Sequence, residues 1–271
     1  MSPARNRPPK LERAAGSSLP APAPTIEALL YRSKVAGPGG SGPGPTELRH
    51  NVERLAIGDR RALGELAPMP GLVAADAWAA VTATFGATAA TSSIDAGRTV
   101  QATRAAVARI EAVAGAGSRV ALATARPASL LTLLLAFAQL AGRAGGAVVD
   151  LADVGPIRAD GRTPRWLRWV GAVAVVSDGS TLCGTADGEA AREWIFAIPR
   201  PALVIADGPF AEVAWEDGIE VVALTGLDRP GLAVAAARAG RCTVVPMRTD
   251  RPPRGYAVIE QLIRGTGDDS S

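Results

Sequence analysis

Two aspartates and one arginine are the residues of this chain whose types and positions best suit chemistry on an anionic group. Arg126, Asp178 and Asp207 each closely follow a short apolar run that is typical of a buried strand. A carboxylate at the end of such a strand must be solvated, paired with a cation or engaged with a ligand. Mg²⁺ is commonly bound by one or two protein carboxylates together with substrate phosphates. We therefore predict that Asp178 and Asp207 are catalytic and share a Mg²⁺ ion. The alternatives are an ordinary turn at Asp178 and a helix cap at Asp207.

The loop that contains Thr124 and Arg126 is a candidate binding site for a phosphate or a carboxylate. It joins a predicted strand to a helix that starts at Pro127, where the missing N–H of proline has no cost. The free N–H groups of the helix, the Thr124 hydroxyl and the Arg126 guanidinium can hold an anion through charge-assisted hydrogen bonds. The alternative is a capped turn that leaves Arg126 in solvent.

Four further polar residues at strand ends are candidate ligand-binding groups. Ser177 and Ser180 lie on either side of Asp178, and Asp228 and Arg229 precede another predicted helix. These residue types also occur in turns and helix caps for backbone reasons alone, which remains the alternative at both places. Because parallel strands all end on the same side of a sheet, we expect these loops to line one crevice.

Several common mechanisms lack the residues that they need. His50 is the only histidine and falls in a predicted helix outside the sheet, which excludes a histidine relay within the sheet. No GxGxxG follows the first strand, and no GxxxxGKS/T or GxSxG occurs, so nucleotide cofactors, P-loop NTPases and serine hydrolases are not expected. Cys183 and Cys242 have no paired spacing, which argues against a disulfide framework or a zinc ribbon. We interpret Arg248 and Asp250, in the last loop, as a surface pair.

Composition indicates a reduced, cytoplasmic protein with one main domain. The chain of 271 residues has 29 Lys and Arg against 26 Asp and Glu, and the charges are dispersed rather than clustered. Nucleic acid is therefore not an expected partner. The longest apolar stretch, Leu130 to Ala138, is shorter than the about 20 residues of a membrane span. Residues 1–15 lack the apolar core of a signal peptide, so we expect neither membrane insertion nor export.

The elements that must position these loops alternate between strands and helices. The predicted strands are Val120–Ala123, Ala147–Leu151, Trp166–Val170, Ala172–Val176, Ala202–Ala206, Glu220–Leu224 and Thr243–Val245. The predicted helices among them are Pro127–Ala144, Gly188–Ile198, Phe210–Asp217, Pro230–Ala239 and Gly255–Arg264. This rhythm predicts an α/β fold with a Rossmann-like, mainly parallel sheet sandwiched by helices. Only Gly171 separates two of the strands, which fits either a tight hairpin or one long bent strand.

The N-terminal part of the chain predicts a tail and a helical extension in front of the sheet. A composition dominated by Pro, Gly, Ser and Ala predicts disorder, interrupted by a short helix over Ile26–Lys34 with Thr25 as N-cap. Helical spacing recurs at Thr46–Leu66, Asp76–Thr84 and Arg98–Ala114. The predicted division is a largely disordered tail over 1–45, one α/β domain over 46–265, helical in 46–115 and with the sheet in 118–265, and a second tail over 266–271.

A set of short motifs is spread over the chain from about Arg32 to Leu262. The motifs are Leu48-Arg49-His50-Asn51, Ala56-Ile57-Gly58-Asp59, Ile94-Asp95, Ala123-Thr124-Ala125-Arg126-Pro127, Gly171-Ala172-Val173-Ala174-Val175-Val176-Ser177-Asp178-Gly179, Ala206-Asp207, the turn from Asp228 to Pro230, and Val245-Pro246. In them the chain resembles a family of bacterial proteins known as phosphatases. The family pattern has Thr-Gly-His-Pro where this chain has Thr124-Ala125-Arg126-Pro127, and Asp-His-Gly where it has Asp207-Gly208-Pro209. Both departures remove a histidine, the residue type best suited to proton transfer near neutral pH.

The resemblance implies a phosphatase-like protein that hydrolyses a small phosphorylated metabolite with the assistance of Mg²⁺. The residues assigned to this reaction are Thr124 and Arg126 for the phosphate, Asp178 and Asp207 for the metal, and Ser177 or Ser180 for supporting hydrogen bonds. Because both histidines are missing, a second hypothesis is a catalytically inactive α/β domain that binds a phosphorylated or carboxylated small ligand. A third is an interaction protein that uses its tail and exposed helices.

Overall fold

One sheet runs through the centre of the protein. The computed structural model describes residues 24–37, 42–157, 164–186 and 188–265. The strands in them are β1 (Arg119–Thr124), β2 (Ala147–Val148), β3 (Val154–Ile157), β4 (Arg165–Val170), β5 (Val173–Ser177), β6 (Leu182–Cys183), β7 (Leu203–Asp207), β8 (Glu220–Thr225) and β9 (Cys242–Pro246). Their spatial order is β3-β4-β5-β1-β7-β8-β9, with β2 paired to β1 and β6 to β5.

Helices surround this sheet. They are α1 (Ile26–Ser33), α2 (Pro45–Ala56), α3 (Arg60–Leu63), α4 (Ala74–Phe85), α5 (Ala96–Gly115), α6 (Pro127–Arg143), α7 (Gly188–Ala197), α8 (Gly208–Glu216), α9 (Gly231–Ala239) and α10 (Ala257–Arg264), and a 3₁₀ helix spans Pro253–Tyr256. Short polar side chains cap three of them, since Thr25 caps α1, Asp59 caps α3 and Asp95 caps α5. Within the described ranges, no helix has both the length and the apolar character needed to cross a membrane.

The path of the chain through the sheet reverses between β1 and β7. Strands β5, β1, β7, β8 and β9 run parallel. From β1 the chain crosses through α6 toward one side of the sheet, whereas from β7 it crosses through α8 and α9 toward the other. Such crossovers are right-handed, so α6 lies on the face opposite α8 and α9. The carboxyl ends of β1 and β7 thus form a topological switch point, where open α/β sheets bind ligands.

Apolar side chains cover both faces of the parallel strands. Every residue of β5 and of β7 is buried. Helices α5, α6 and α10 pack on one another, while α7 packs on α8 and α4 on α9. Full burial of a Val, Leu or Ile side chain contributes about 1.5–3 kcal/mol. The buried strands therefore hold the loops at the carboxyl edge of the sheet in fixed positions.

The predicted α/β fold class, with its mainly parallel sheet between helices, is confirmed. The predicted helix Thr46–Leu66 is divided into α2 and α3, because Gly58 adopts a φ of 76° and Asp59 caps α3 by accepting a hydrogen bond from Arg61 N–H at 2.8 Å. The short strands β3 and β6 were not predicted. The strand predicted over Ala147–Leu151 is limited to Ala147–Val148.

The two strands on either side of Gly171 form a hairpin, so the alternative of one bent strand is wrong. Val170 pairs with Val173, which leaves a two-residue turn, and Gly171 adopts a φ of 58° that few other residues tolerate. The short helix predicted near the N-terminus is α1, and its Leu30 is fully buried. Residues 1–23, 38–41 and 266–271, which make up most of the predicted tails, lie outside the described residues.

Candidate functional site

A buried carboxyl group joins the carboxyl ends of β1 and β7. Asp207 is the last residue of β7 and is 1% exposed. Its Oδ1 accepts a hydrogen bond from the N–H of Ala125 at 3.0 Å, which ties the loop after β1 to β7. Its Oδ2 is also buried and has no hydrogen-bond partner. The switch point of the sheet is therefore occupied by a side chain with one unused oxygen.

Burial gives Asp207 an unusual protonation equilibrium. The loss of hydration raises the pKa of Asp207 from 3.8 to about 6, although the Thr124 hydroxyl, the Ala125 N–H and the charges of Arg126 and Arg229 act to lower it. A carboxyl group with this pKa can both release and accept a proton near neutral pH. Asp207 therefore has the property that an acid–base catalyst needs.

Arg126 places a cation beside this carboxyl group. The Oγ1 of Thr124 accepts a hydrogen bond from the N–H of Arg126 at 2.9 Å, which fixes the backbone at the start of α6. The Nη2 of Arg126 donates to Oδ2 of Asp228 at 2.8 Å, in the loop after β8. The Arg126 side chain remains 35% exposed. Asp228 therefore holds the guanidinium in place and leaves part of it accessible to a ligand.

Arg229 is engaged mainly in the structure around α8. Its Nη1 donates to both carboxylate oxygens of Glu212 at 3.1 Å, and Glu212 also accepts a hydrogen bond from the N–H of Glu65 at 3.0 Å. Burial raises the pKa of Glu212, and the charge of Arg229 opposes that shift. Arg229 therefore stabilises the buried carboxylate of Glu212, and its charge also lowers the pKa of Asp207.

A small pocket opens next to Arg126. Its volume is about 190 Å³. It is lined by Gly42, Pro43, Ser92, Ile94, Arg126, Gly226, Leu227, Asp228, Arg248, Thr249 and Asp250. These residues come from the loops after β1, β8 and β9 and from the segments before α2 and α5. Of the strand-end loops expected to line one crevice, those after β1 and β8 line this pocket, whereas those after β5 and β7 do not.

The interpretation of Arg248 and Asp250 as a surface pair is wrong for Arg248. Only 6% of Arg248 is exposed, and its Nη1 has no hydrogen-bond partner. Thr249 is 3% exposed, and its Oγ1 likewise has none. Asp250 is exposed and bonds to Arg251 at 3.0 and 2.8 Å. The last loop therefore turns its arginine and threonine inward, toward the pocket.

Tyr256 fixes the shape of this last loop from below. Its hydroxyl donates to the carbonyl oxygen of Arg248 at 2.8 Å and accepts from the N–H of Arg251 at 3.1 Å. Burial raises the pKa of Tyr256 well above its usual range. The neutral phenol is therefore the form that holds the loop in place.

The predicted residues around Asp178 form a separate, self-satisfied turn. Asp178 Oδ1 accepts from the N–H groups of Ser180 and Thr181 at 2.9 and 2.8 Å, and Oδ2 accepts from the Thr181 hydroxyl at 3.0 Å. These bonds lower the pKa of Asp178 to about 2. The Oγ of Ser177 accepts from the N–H of Gly179 at 3.0 Å. Strand β1 lies between this turn, at the end of β5, and Asp207, at the end of β7.

The structure thus brings together five of the eight candidate residues at or next to the switch point. These are Thr124, Arg126, Asp207, Asp228 and Arg229, whereas Ser177, Asp178 and Ser180 share their own turn. Within the described ranges, no group of three or more His, Cys, Asp or Glu side chains is arranged to hold a metal ion. Sequence reasoning assigned no binding role to Arg248 and Thr249, which line the pocket, or to Tyr256, which supports their loop. The position of Arg248 and Thr249 directly after β9 was the signal that could have given them one.

The fold and this site define an α/β protein with an acidic group and arginines at the switch point of its sheet. The family described as "Phosphatase" matches residues 27–264, and the chain belongs to that family. The resemblance to phosphatases predicted from the loop motifs is thereby confirmed. Comparisons with curated proteins and with solved structures found no match to the chain.

Proposed function

We propose that this protein hydrolyses a small phosphorylated metabolite at the crevice beside β1 and β7. The observation that carries this proposal is the buried Asp207, whose free oxygen and raised pKa occur next to the partly exposed Arg126. Membership of the phosphatase family supports a phosphorylated ligand. The reaction class is phosphomonoester hydrolysis.

Arg126 is the residue that binds the phosphate in this proposal. Its guanidinium supplies charge-assisted hydrogen bonds, and the first turn of the 17-residue helix α6 adds the positive end of the helix dipole. Asp228 keeps the guanidinium oriented through the bond at 2.8 Å. Thr124 acts as a positioning residue, since its hydroxyl is used by the backbone of Arg126.

Asp207 is the proton donor in this proposal. As water attacks phosphorus and the bond to the ester oxygen breaks, the protonated carboxyl group passes its proton to the leaving oxygen. The attacking water loses a proton, which returns Asp207 to the protonated form, and the products are an alcohol and inorganic phosphate. General acid catalysis of this kind contributes about 10²- to 10⁴-fold to a rate.

Magnesium assistance remains part of the proposal, with a changed assignment of residues. Both oxygens of Asp178 accept hydrogen bonds within its turn, whereas Oδ2 of Asp207 accepts none. Mg²⁺ commonly has only one or two protein carboxylates and takes its other ligands from water and substrate phosphate. Asp207 together with the phosphate is therefore the better-supported set for Mg²⁺. A carboxylate that holds the ion is deprotonated, so Mg²⁺ at Asp207 is an alternative to its role as proton donor, and the assays in EDTA and in Mg²⁺ separate the two.

The same geometry also suits binding of a phosphorylated or carboxylated ligand without turnover. The observation that favours this second candidate is that Asp207 is buried just outside the residues that line the pocket. Retention of a substrate without release of phosphate would identify this case.

The test is a phosphate-release assay on the full chain with a panel of small phosphomonoesters, in EDTA and in Mg²⁺. We expect turnover in the wild type and a loss of at least 100-fold in Asp207→Asn. Asp217→Asn is the matched control, because Asp217 pairs with Arg200 on the surface. Equal activity of Asp207→Asn and the wild type would contradict the role of Asp207. A large loss in Asp178→Asn that appears only with Mg²⁺ would instead favour a metal shared by both aspartates.

A further inference from the structure

The pocket beside Arg126 contains two buried polar groups that the protein leaves without partners. Arg248 is 6% exposed and Thr249 is 3% exposed, and both line the pocket. The Nη1 of Arg248 and the Oγ1 of Thr249 make no hydrogen bond. A buried polar group without a partner is destabilising, and more so when it is charged. Such groups normally have a partner in the protein, in an ordered water or in a ligand.

The other charged groups of the pocket are already paired. Asp228 accepts from Arg126 at 2.8 Å, and Asp250 accepts from Arg251 at 3.0 and 2.8 Å. The Nη2 of Arg248 reaches the carbonyl oxygen of Gly37 at 3.4 Å, which is a neutral partner. The position of Arg248 is therefore suited to an anion that comes from outside the chain.

We propose that Arg248 and Thr249 bind a carboxylate of the substrate, which makes the substrate a small phosphorylated carboxylic acid. This inference rests on the proposed function, because Arg126 in the same pocket takes the phosphate. A guanidinium nitrogen and a hydroxyl are both donors, and a carboxylate accepts from two donors through its two oxygens.

The size of the pocket limits the separation of the two anionic groups. A volume of about 190 Å³ corresponds to about six waters at about 30 Å³ each and is below the about 300 Å³ of common ligand pockets. One molecule that contacts both Arg126 and Arg248 within this volume is therefore small, with its phosphate and its carboxylate close together.

The test compares two probes by titration calorimetry on the full chain at one salt concentration. Phosphoglycolate carries both groups on one carbon atom, and ethyl phosphate lacks the carboxylate. We expect the wild type to bind phosphoglycolate at least tenfold more tightly. Arg248→Met should lose this preference and weaken the binding of phosphoglycolate much more than that of ethyl phosphate, and Thr249→Val should reduce the preference about threefold or more. Arg264→Met, which removes a surface arginine paired with Glu260, should bind both probes as the wild type does.

Three results would overturn this assignment. They are equal affinity of the wild type for both probes, no binding of either probe, and an equal loss for both probes in Arg248→Met. If circular dichroism shows that Arg248→Met does not fold, Thr249→Val decides, and an unchanged preference overturns the assignment. Preferential binding of phosphoglycolate without release of phosphate would refute the proposed function and leave this subsite standing. Hydrolysis of ethyl phosphate, together with equal affinity for the two probes, would refute this subsite and leave the proposed function standing.

Discussion

Asp178 and Asp207 stand at the ends of two parallel strands, but their surroundings differ completely. The two oxygens of Asp178 accept three hydrogen bonds from the residues that follow it, and its pKa falls to about 2. Asp207 receives one bond, from a different loop, and its pKa rises to about 6. The hydrogen bonds of Asp178 complete its own turn, whereas Oδ2 of Asp207 has no hydrogen-bond partner. Position at a strand end is therefore not enough to mark a functional residue, and unused hydrogen-bonding capacity separates the two.

The sequence after each aspartate accounts for this difference. Asp178 is followed by residues whose N–H groups fold back onto it, as in a common turn of Asp, Gly and Ser. Asp207 occupies the N-cap position of α8, yet its side chain makes no capping hydrogen bond. Its helix begins Gly208-Pro209, and proline at the second position has no N–H to donate. The capping alternative for Asp207 is wrong, because the carboxyl group turns toward Ala125 instead of α8.

The largest expected effect is on turnover by Asp207→Asn. Asparagine retains the oxygen that accepts from Ala125 but has no acidic proton, so kcat should fall by about 10²- to 10⁴-fold with the fold intact. Steady-state kinetics with the best substrate of the panel would measure this loss. A fall in kcat for Asp178→Asn as large as that for Asp207→Asn would remove the contrast between the two aspartates.

The next effect is a gain in stability for the same variant. The pKa of Asp207 is raised in the folded state, so stability falls as pH rises from 3.8 to about 6 and stays low above that pH. A shift of about two units corresponds to about 3 kcal/mol. Urea unfolding should therefore show Asp207→Asn to be more stable than the wild type at pH 8, with a difference that shrinks toward pH 4. A wild type that is equally or more stable at pH 8 would contradict the raised pKa.

A smaller effect is expected from Pro209→Ala, which gives Asp207 a local donor. The restored N–H lies at the second position of α8, where an aspartate side chain normally caps a helix. One added hydrogen bond of about 1 kcal/mol should lower the pKa of Asp207 by about half a unit to one unit. The pH dependence of kcat should move to lower pH by the same amount. An unmoved profile would show that the missing N–H is not what leaves Asp207 unpaired.

The smallest effect is expected from Asp178→Asn. Its pKa is lowered in the folded state, so it contributes stability above pH 3.8 that is lost as pH falls toward about 2. The side chain is exposed, so we expect only a slight fall in Tm at pH 7 and none at pH 2. Thermal unfolding followed by circular dichroism would check both values. A large loss of stability would show that this turn contributes more to the stability of the fold than its exposure indicates.

Much of the fold follows from sequence patterns because the central strands are continuous apolar runs. Those runs and the glycine and proline residues between them place most elements to within a few residues. The short strands β3 and β6 escaped because their residues have no such pattern, and their pairing depends on β4 and β5. The sequence also cannot show that β1 separates Asp178 from Asp207, since strand order is set by packing of the whole sheet.

The candidate site was predicted in part, for a related reason. Thr124, Arg126 and Asp207 were selected from the sequence because each stands at the end of an apolar strand of the parallel core. Arg248 was predicted to lie on the surface because arginine is rarely buried. In this pocket it is buried nevertheless. Tyr256 gave no signal in sequence, as its contact with the Arg248 carbonyl arises only when the 3₁₀ helix folds under the last loop.

The most direct measurement is a carbon-13 NMR titration of the aspartate carboxyl groups, assigned with Asp207→Asn and Asp178→Asn, without and with inorganic phosphate. We predict that Asp207 titrates at about pH 6 and Asp178 at about pH 2. Phosphate bound at Arg126 should raise the pKa of Asp207 further, because a nearby negative charge disfavours the carboxylate, and should leave Asp178 unchanged. An Asp207 that titrates below pH 4, or that does not respond to phosphate, would contradict its assignment to the phosphate site.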